Sequence, residues 1–118
     1  MPRVLLVEDD EVIRPLITEA ISLLQLDVIP CANADDALKI LEATSVGLVV
    51  TDVRMPGSMD GLALTQIICS RWRELPLIVI SGDAILPPGL SLSNAAFLSK
   101  PFSLDTLHDT IKQLLPLP

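Results

Sequence analysis

The sequence has few basic residues, two cysteines and a single histidine, and each shortage argues against a class of function. Eight Lys and Arg stand against 15 Asp and Glu, which gives a formal net charge of −7 at pH 7. Such a chain is a poor partner for nucleic acid, because phosphate binding needs a basic face. Cys31 and Cys69 lack metal-site spacing, so we expect two buried free thiols in a reducing compartment. His108 has no second ligand nearby, and we expect it on the surface of a terminal helix.

Long apolar runs are also missing. No stretch reaches the roughly 18 to 20 apolar residues of a membrane span, and the N-terminal segment lacks the apolar region and cleavage site of a signal peptide. We therefore expect a cytoplasmic protein that does not contact a membrane. Half of the 118 residues are nonetheless hydrophobic, which suits one folded domain over residues 1–118.

Short apolar runs alternate with helical periodicity along the chain. Continuous apolar runs are typical of strands buried on both faces. Pro30 cannot donate to a ladder, so its strand belongs at a sheet edge, and Asn33 and Ser103 are suitable helix N-caps. The order predicts an α/β fold, a flavodoxin-like doubly wound five-stranded parallel sheet of order 2-1-3-4-5. The predicted strands are Val4–Val7, Asp27–Cys31, Val46–Thr51, Leu77–Ile80 and Ala96–Ser99, all but the second expected to be buried.

The segment between the last two predicted strands departs from this regularity. Pro87 and Pro88 disfavour helix at the residues before them, and Gly89 weakens any helix that follows. We therefore expect the fourth helix of the fold to be short or missing.

Polar side chains follow four of the five predicted strands. In a parallel sheet all carboxyl ends lie at one edge, where ligands bind. Each residue alone has an ordinary explanation, such as capping the next helix, but together they predict a site. The set is Glu8, Asp9 and Asp10 after the first strand, Asp52 after the third, Ser81 after the fourth and Lys100 after the fifth.

The grouped carboxylates indicate a cation. Two like charges about 4 Å apart repel by roughly 4 kcal/mol at an effective dielectric of about 20, and Mg²⁺ binds carboxylates together with waters and phosphate. A carboxylate can also accept a phosphoryl group as an acyl phosphate. Lys100 and Ser81 are suited to neutralise the transferring oxygens. The pattern predicts Mg²⁺-dependent phosphoryl transfer to Asp52.

With these residues in place, the chain resembles the receiver domain of bacterial two-component response regulators. The resemblance covers essentially the whole chain in order and spacing. The matching stretches are Val4–Asp10 (VLLVEDD), Val50–Pro56 (VTDVRMP) with Asp60-Gly61, Val79–Gly82 (VISG) and Phe97–Phe102 (FLSKPF).

The resemblance implies a role for each matching residue. Asp52 is the expected phospho-acceptor. The phosphoryl group is expected to come from a phosphohistidine of a histidine kinase or phosphotransfer protein. Glu8 and Asp9 are expected to place Mg²⁺, with Asp52 and the backbone carbonyl of Arg54 as further ligands. Lys100 is expected to pair with the phosphoryl oxygens.

Other expectations concern neighbouring residues. Asp10 should cap the first helix rather than bind metal. Ser81 and Phe97 are the expected switch residues, although Phe97 lacks the hydroxyl of the family's frequent Tyr. Arg54 and Asp83 each lie two residues beyond a key group and are expected to modulate the lifetime of the phosphorylated state. A longer loop at Gly57-Ser58 is a departure from the commonest form of the family.

Two other functions stay open at this point. A degenerate receiver would bind partners without phosphorylation. An aspartyl phosphotransferase of the haloacid dehalogenase type would need a second acid two residues after the nucleophile, where this chain has Arg54. We therefore expect self-phosphorylation and slow autodephosphorylation, and no turnover of external substrates.

The length leaves no room for a further output domain, so we expect a stand-alone receiver. Its expected partners are the phosphodonor and a downstream protein target, and a weak homodimer is kept open. The sequence does not identify the kinase or the target.

Overall fold

A computed structural model of the chain describes residues 3–53, 61–81 and 95–115. That part contains five strands and four helices. No helix in it is long and apolar enough to cross a membrane. The elements are β1 (Arg3–Val7), α1 (Ile13–Ser22), β2 (Asp27–Cys31), α2 (Ala34–Ala43), β3 (Leu48–Asp52), α3 (Gly61–Arg71), β4 (Leu77–Ser81), β5 (Ala95–Ser99) and α4 (Leu104–Leu114).

The strands form one parallel sheet in the order β2-β1-β3-β4-β5, which confirms the predicted fold class. The register places Val7 beside Thr51, and Asp52 beside Ile80. Ser81 lies beside Ser99. The carboxyl ends of four strands therefore meet at one edge of the sheet, which we call the carboxyl edge.

Position in the sheet explains the burial of the strands. β3 and β4 lie inside and are buried throughout, and β1 is buried apart from Arg3. β2 lies at an edge with Pro30 exposed, as predicted. The prediction that the last strand is buried was wrong. β5 is the second edge strand, with a neighbour on one side only, and residues 95–97 are half-buried.

Helices cover both faces of the sheet. Ile17 and Ile21 of α1 share one core cluster with Leu107 and Ile111 of α4. The opposite cluster holds buried residues of α2 and α3. The predicted caps are present, because the side-chain oxygens of Asn33 and Ser103 accept from backbone N–H groups three residues on.

His108 and Cys69 differ from their predicted environments. His108 is half-buried, and its Nε2 lies 2.7 Å from the carbonyl oxygen of Ala20, so α4 is tied to α1. A carbonyl oxygen only accepts, so Nε2 is the donor. Cys69 is half-buried, whereas Cys31 is buried as predicted, and burial raises the pKa of the Cys31 thiol to about 11.

The expected loss of the fourth helix concerns the segment between β4 and β5. That segment, residues 82–94, lies outside the described residues, as does the loop at Gly57-Ser58.

Candidate functional site

Asp52 ends β3 at the carboxyl edge and is 7% exposed. Its backbone is held on both sides. The hydroxyl of Thr51 donates to the Asp52 carbonyl oxygen at 3.0 Å, and the N–H of Val53 donates to the Ile80 carbonyl at 3.0 Å. The carboxylate therefore projects from a fixed point between two buried strands.

Gly61 adds a constraint that the sequence reasoning missed. A Cβ atom at Gly61 would collide with the carbonyl oxygen of Asp52, so any larger residue would push α3 away from the end of β3. The Gly61 N–H also donates to the Val53 carbonyl at 2.9 Å. A glycine at the start of a helical pattern was the available signal, since such a residue often marks a close backbone approach.

Lys100 reaches the same point from the neighbouring strands. Its Nζ donates to Asp52 Oδ2 at 2.6 Å. Its backbone N–H donates to the Ser81 carbonyl at 2.9 Å, which joins the ends of β4 and β5. Burial acts to lower the pKa of Lys100, but the hydrogen bond and charge of Asp52 outweigh it, so the pKa is raised. The ammonium is therefore held in its charged form beside Asp52.

Glu8 and Asp9 complete an acidic cluster with Asp52. One carboxylate oxygen of each lies within 4.8 Å of the others. Asp9 is more exposed than Glu8, of which only 3% is exposed. Burial, followed by the hydrogen bond and the charge of Asp52, raises the pKa of Glu8 to about 7. The cluster therefore holds more negative charge than Lys100 balances.

This donor set fits a hard divalent cation. Oxygen ligands from carboxylates are the ones that Mg²⁺ prefers, and the three carboxylates converge on one point at the sheet edge. Burial first, and then the neighbouring Asp52, raise the pKa of Glu8, so without a cation the Glu8 carboxyl is partly protonated near neutral pH.

Asp10 bonds to the start of α1 and is not part of this cluster, as predicted. Its Oδ1 accepts from the N–H groups of Val12 and Ile13 at 2.8 and 3.0 Å. These bonds hold the pKa of Asp10 below its usual range, and the bond from Ile13 has the larger effect. Asp10 therefore caps the start of α1, and its neighbour Asp9 is left for the cluster.

The remaining predicted residues divide into described and undescribed ones. Ser81 is buried at the end of β4, next to the strand that carries Asp52. Phe97 is half-buried and packs against the core cluster beneath α2 and α3. Arg54 and Asp83 lie outside the described residues, so their roles stay predictions.

Fold and site together define a class: a flavodoxin-like α/β domain with an acidic, lysine-paired site at the carboxyl edge of its sheet. The sequence also matches the family described as the response regulator receiver domain, over residues 4–112. The chain belongs to this family of receiver domains, which serve two-component signalling.

Individual relatives agree with this assignment. The chain is 37% identical over 115 residues to the C4-dicarboxylate transport transcriptional regulatory protein DctD of Rhizobium meliloti, covering 95% of this chain and 25% of that protein. It thus spans about a quarter of the length of this relative.

Solved structures share the whole fold. The response regulator TrrA of Thermotoga maritima, solved in complex with Mg²⁺-BeF, has a TM-score of 0.87 at 28% identity and covers 98% of this chain and 100% of that one. The signal receiver domain of an HD domain-containing protein from Pseudomonas fluorescens Pf-5 has a TM-score of 0.85 at 28% identity, with 98% and 94% covered.

Proposed function

We propose that Asp52 is the residue of this receiver that accepts the phosphoryl group, and that a phosphohistidine of a histidine kinase or phosphotransfer protein supplies it. One observation carries the proposal: Asp52 is buried at a strand end, 2.6 Å from Lys100 Nζ, within a cluster of three carboxylates. An aspartate in this setting has a fixed direction of attack and a cation beside it.

The chemistry follows from the placement of these groups. An oxygen of Asp52 attacks phosphorus, the P–N bond to the donor imidazole breaks, and the imidazole keeps the electron pair and takes up a proton. An aspartyl phosphate remains on this chain. In this proposal Lys100 shifts from Asp52 to the phosphoryl oxygens, and the Ser81 hydroxyl donates to a second oxygen. Both groups would stabilise the charge that develops during transfer.

Mg²⁺ is the proposed cofactor, held by Glu8, Asp9 and Asp52 with the backbone carbonyl of Arg54. Bound there, it would neutralise charge on the phosphoryl oxygens. Three carboxylates of this chain then become tolerable neighbours, and Glu8 no longer needs its proton. The presence of Mg²⁺-BeF in TrrA supports the same choice of metal.

The remaining parts of the proposal concern partners and place. We propose that residues 1–118 act as one receiver domain in the cytoplasm, and that phosphorylation alters contact with a downstream protein through Ser81 and Phe97. DctD is named as a transcriptional regulator; a comparable output for this chain would require a partner or a further domain. A weak homodimer is one form that the contact could take.

Intact mass spectrometry tests the acceptor. After incubation with acetyl phosphate and Mg²⁺, the wild type should gain one phosphoryl group, and Asp52→Asn should gain none. Asp10→Asn is the matched control, because it removes a carboxylate outside the cluster and should label like the wild type. Equal labelling of Asp52→Asn and the wild type would overturn the assignment, and an unlabelled wild type would favour a degenerate receiver.

A further inference from the structure

Arg14 is the feature of this site that neither the motifs nor the chemistry above uses. It lies in the first turn of α1 and is half-buried. Its Nη1 donates to the backbone carbonyl oxygen of Glu8 at 3.0 Å, and its own N–H donates to the Asp10 carbonyl at 2.9 Å. Arg14 thus holds the chain on both sides of Asp9.

The Glu8 carbonyl needs the bond from Arg14 because the pairing of β1 with β2 ends just before Glu8. The Glu8 N–H still pairs with the Cys31 carbonyl at 3.0 Å. In a longer parallel ladder the N–H of Asn33 would donate to the Glu8 carbonyl, but the β1–β2 pairing ends at Val7 and Cys31, and the chain turns into α2 from Asn33. The Glu8 residue is buried, and a buried carbonyl without a partner is costly. The guanidinium of Arg14 supplies the donor that the ladder no longer provides.

We propose that Arg14 is a positioning residue for the metal site, which fixes the turn that presents Glu8 and Asp9 by binding the Glu8 backbone. The inference rests on the proposed Mg²⁺ function of these two carboxylates. In this proposal Arg14 is not a metal ligand, since its guanidinium bonds the backbone carbonyl of Glu8. Its effect on metal affinity passes through the backbone of Glu8, in the way that partners of ligands usually act.

A positioning role and a purely electrostatic role of Arg14 predict opposite changes in Mg²⁺ affinity when Arg14 is removed. Arg14 is a positive charge near acidic residues, and it contributes to lowering the pKa of Asp10. If it acted only through its charge, its removal would strengthen the binding of a cation. If it holds the turn, its removal should weaken Mg²⁺ binding, even though a repelling charge has gone. The direction of the change therefore separates the two explanations.

The test measures the Mg²⁺ dissociation constant by NMR titration of the full chain. Arg14→Met keeps the aliphatic part of the side chain and loses every donor, and it should raise the Kd about tenfold. Arg71→Met is the matched control, because it makes the same substitution and the same charge change at the opposite edge of the sheet, and it should bind like the wild type. Arg14→Lys keeps the charge but replaces the planar guanidinium with a shorter side chain that ends in an ammonium group, so it should hold the turn less firmly and lie between the wild type and Arg14→Met.

Failure of the Arg14 proposal and failure of the proposed function would give different results. A Kd for Arg14→Met equal to or tighter than that of the wild type overturns the positioning role. If Arg14→Met does not fold, Arg14→Lys decides: an unchanged Kd contradicts the proposal, and a weaker one with retained charge supports it. A wild type that binds no Mg²⁺ and gains no phosphoryl group would instead remove the proposed function itself.

Discussion

Two ion pairs lie at opposite edges of the sheet and have different surroundings. At the carboxyl edge, Lys100 contacts Asp52 at 2.6 Å, with side chains 37% and 9% exposed. At the amino edge, Arg71 contacts Glu42 at 3.3 Å, and both side chains are about half exposed. Glu42 and Arg71 balance each other, whereas Lys100 faces three carboxylates. The functional edge is therefore marked by a cluster of carboxyl groups that outnumbers its single ammonium, and not by the presence of an ion pair.

The largest expected difference comes from removing the cation of each pair. Lys100→Met should slow labelling by acetyl phosphate about a hundredfold, because a donor aimed at developing charge is lost. Arg71→Met should label at the wild-type rate, since it lies at the other edge. Time-resolved intact mass measures both. Lys100→Met labelling as fast as Arg71→Met would contradict the role of Lys100.

The buried Glu8 carboxyl should make the stability of the protein depend on pH. Without metal, the folded pKa of Glu8 is about 7 against an ordinary value of 4.5. A raised carboxyl pKa contributes stability that is fully present below the ordinary value and is lost as pH rises through the folded value. In EDTA, Glu8→Gln should match the wild type near pH 5. Near pH 8 it should unfold several degrees higher, for a gain of about 1–3 kcal/mol.

Bound Mg²⁺ should reverse the order in which the wild type and Glu8→Gln unfold at pH 8. Saturating Mg²⁺ at pH 8 should raise the unfolding temperature of the wild type and raise that of Glu8→Gln less, because the variant has lost a ligand. Thermal unfolding followed by circular dichroism, with EDTA or Mg²⁺ at both pH values, checks the whole set. A pH-independent difference between the two proteins in EDTA would contradict the raised pKa of Glu8.

A third prediction separates two adjacent aspartates. Asp9→Ala should weaken Mg²⁺ binding at least tenfold, since it removes a ligand of the cluster. Asp10→Ala should leave the Kd near that of the wild type and should cost about 0.5–2 kcal/mol of stability, because it removes the cap of α1. NMR titration and urea unfolding measure the two quantities. Equal effects of both substitutions on Mg²⁺ affinity would show that the cluster is wrongly assigned.

The sequence predicted which residues meet at the carboxyl edge, because the carboxyl ends of parallel strands lie at one edge however far apart they are in sequence. Asp52 and Lys100 are 48 residues apart, yet parallel strands must bring their ends together. The rule says nothing about backbone approach or side-chain reach. Gly61 against Asp52, Arg14 on Glu8 and His108 on Ala20 all depend on helix placement to within an ångström or so, and residue spacing does not encode such distances.

Burial of the last strand shows a second limit. An apolar run reads the same whether its strand is inside the sheet or at its edge. Ala95 to Phe97 are apolar and lie at the edge, half-buried. Here the predicted strand order contained the right answer, since order 2-1-3-4-5 makes the fifth strand an edge, and the hydrophobic pattern was given too much weight.

The smallest effect is expected at the amino edge. The exposed Arg71 guanidinium also lies 4.5 Å from the centroid of the half-buried Trp72 ring, a contact that contributes about 0.5–1 kcal/mol. The pair with Glu42 should add about 0–1 kcal/mol and weaken with salt. Arg71→Met should therefore cost about 0.5–2 kcal/mol of stability, because it loses both contacts, and Glu42→Gln about 0–1 kcal/mol, because it loses only the ion pair. Urea unfolding of the single and double variants at low and high salt measures the coupling. A coupling above about 2 kcal/mol that persists in high salt would show that the amino edge holds a buried network, and the contrast between the two edges would then fail.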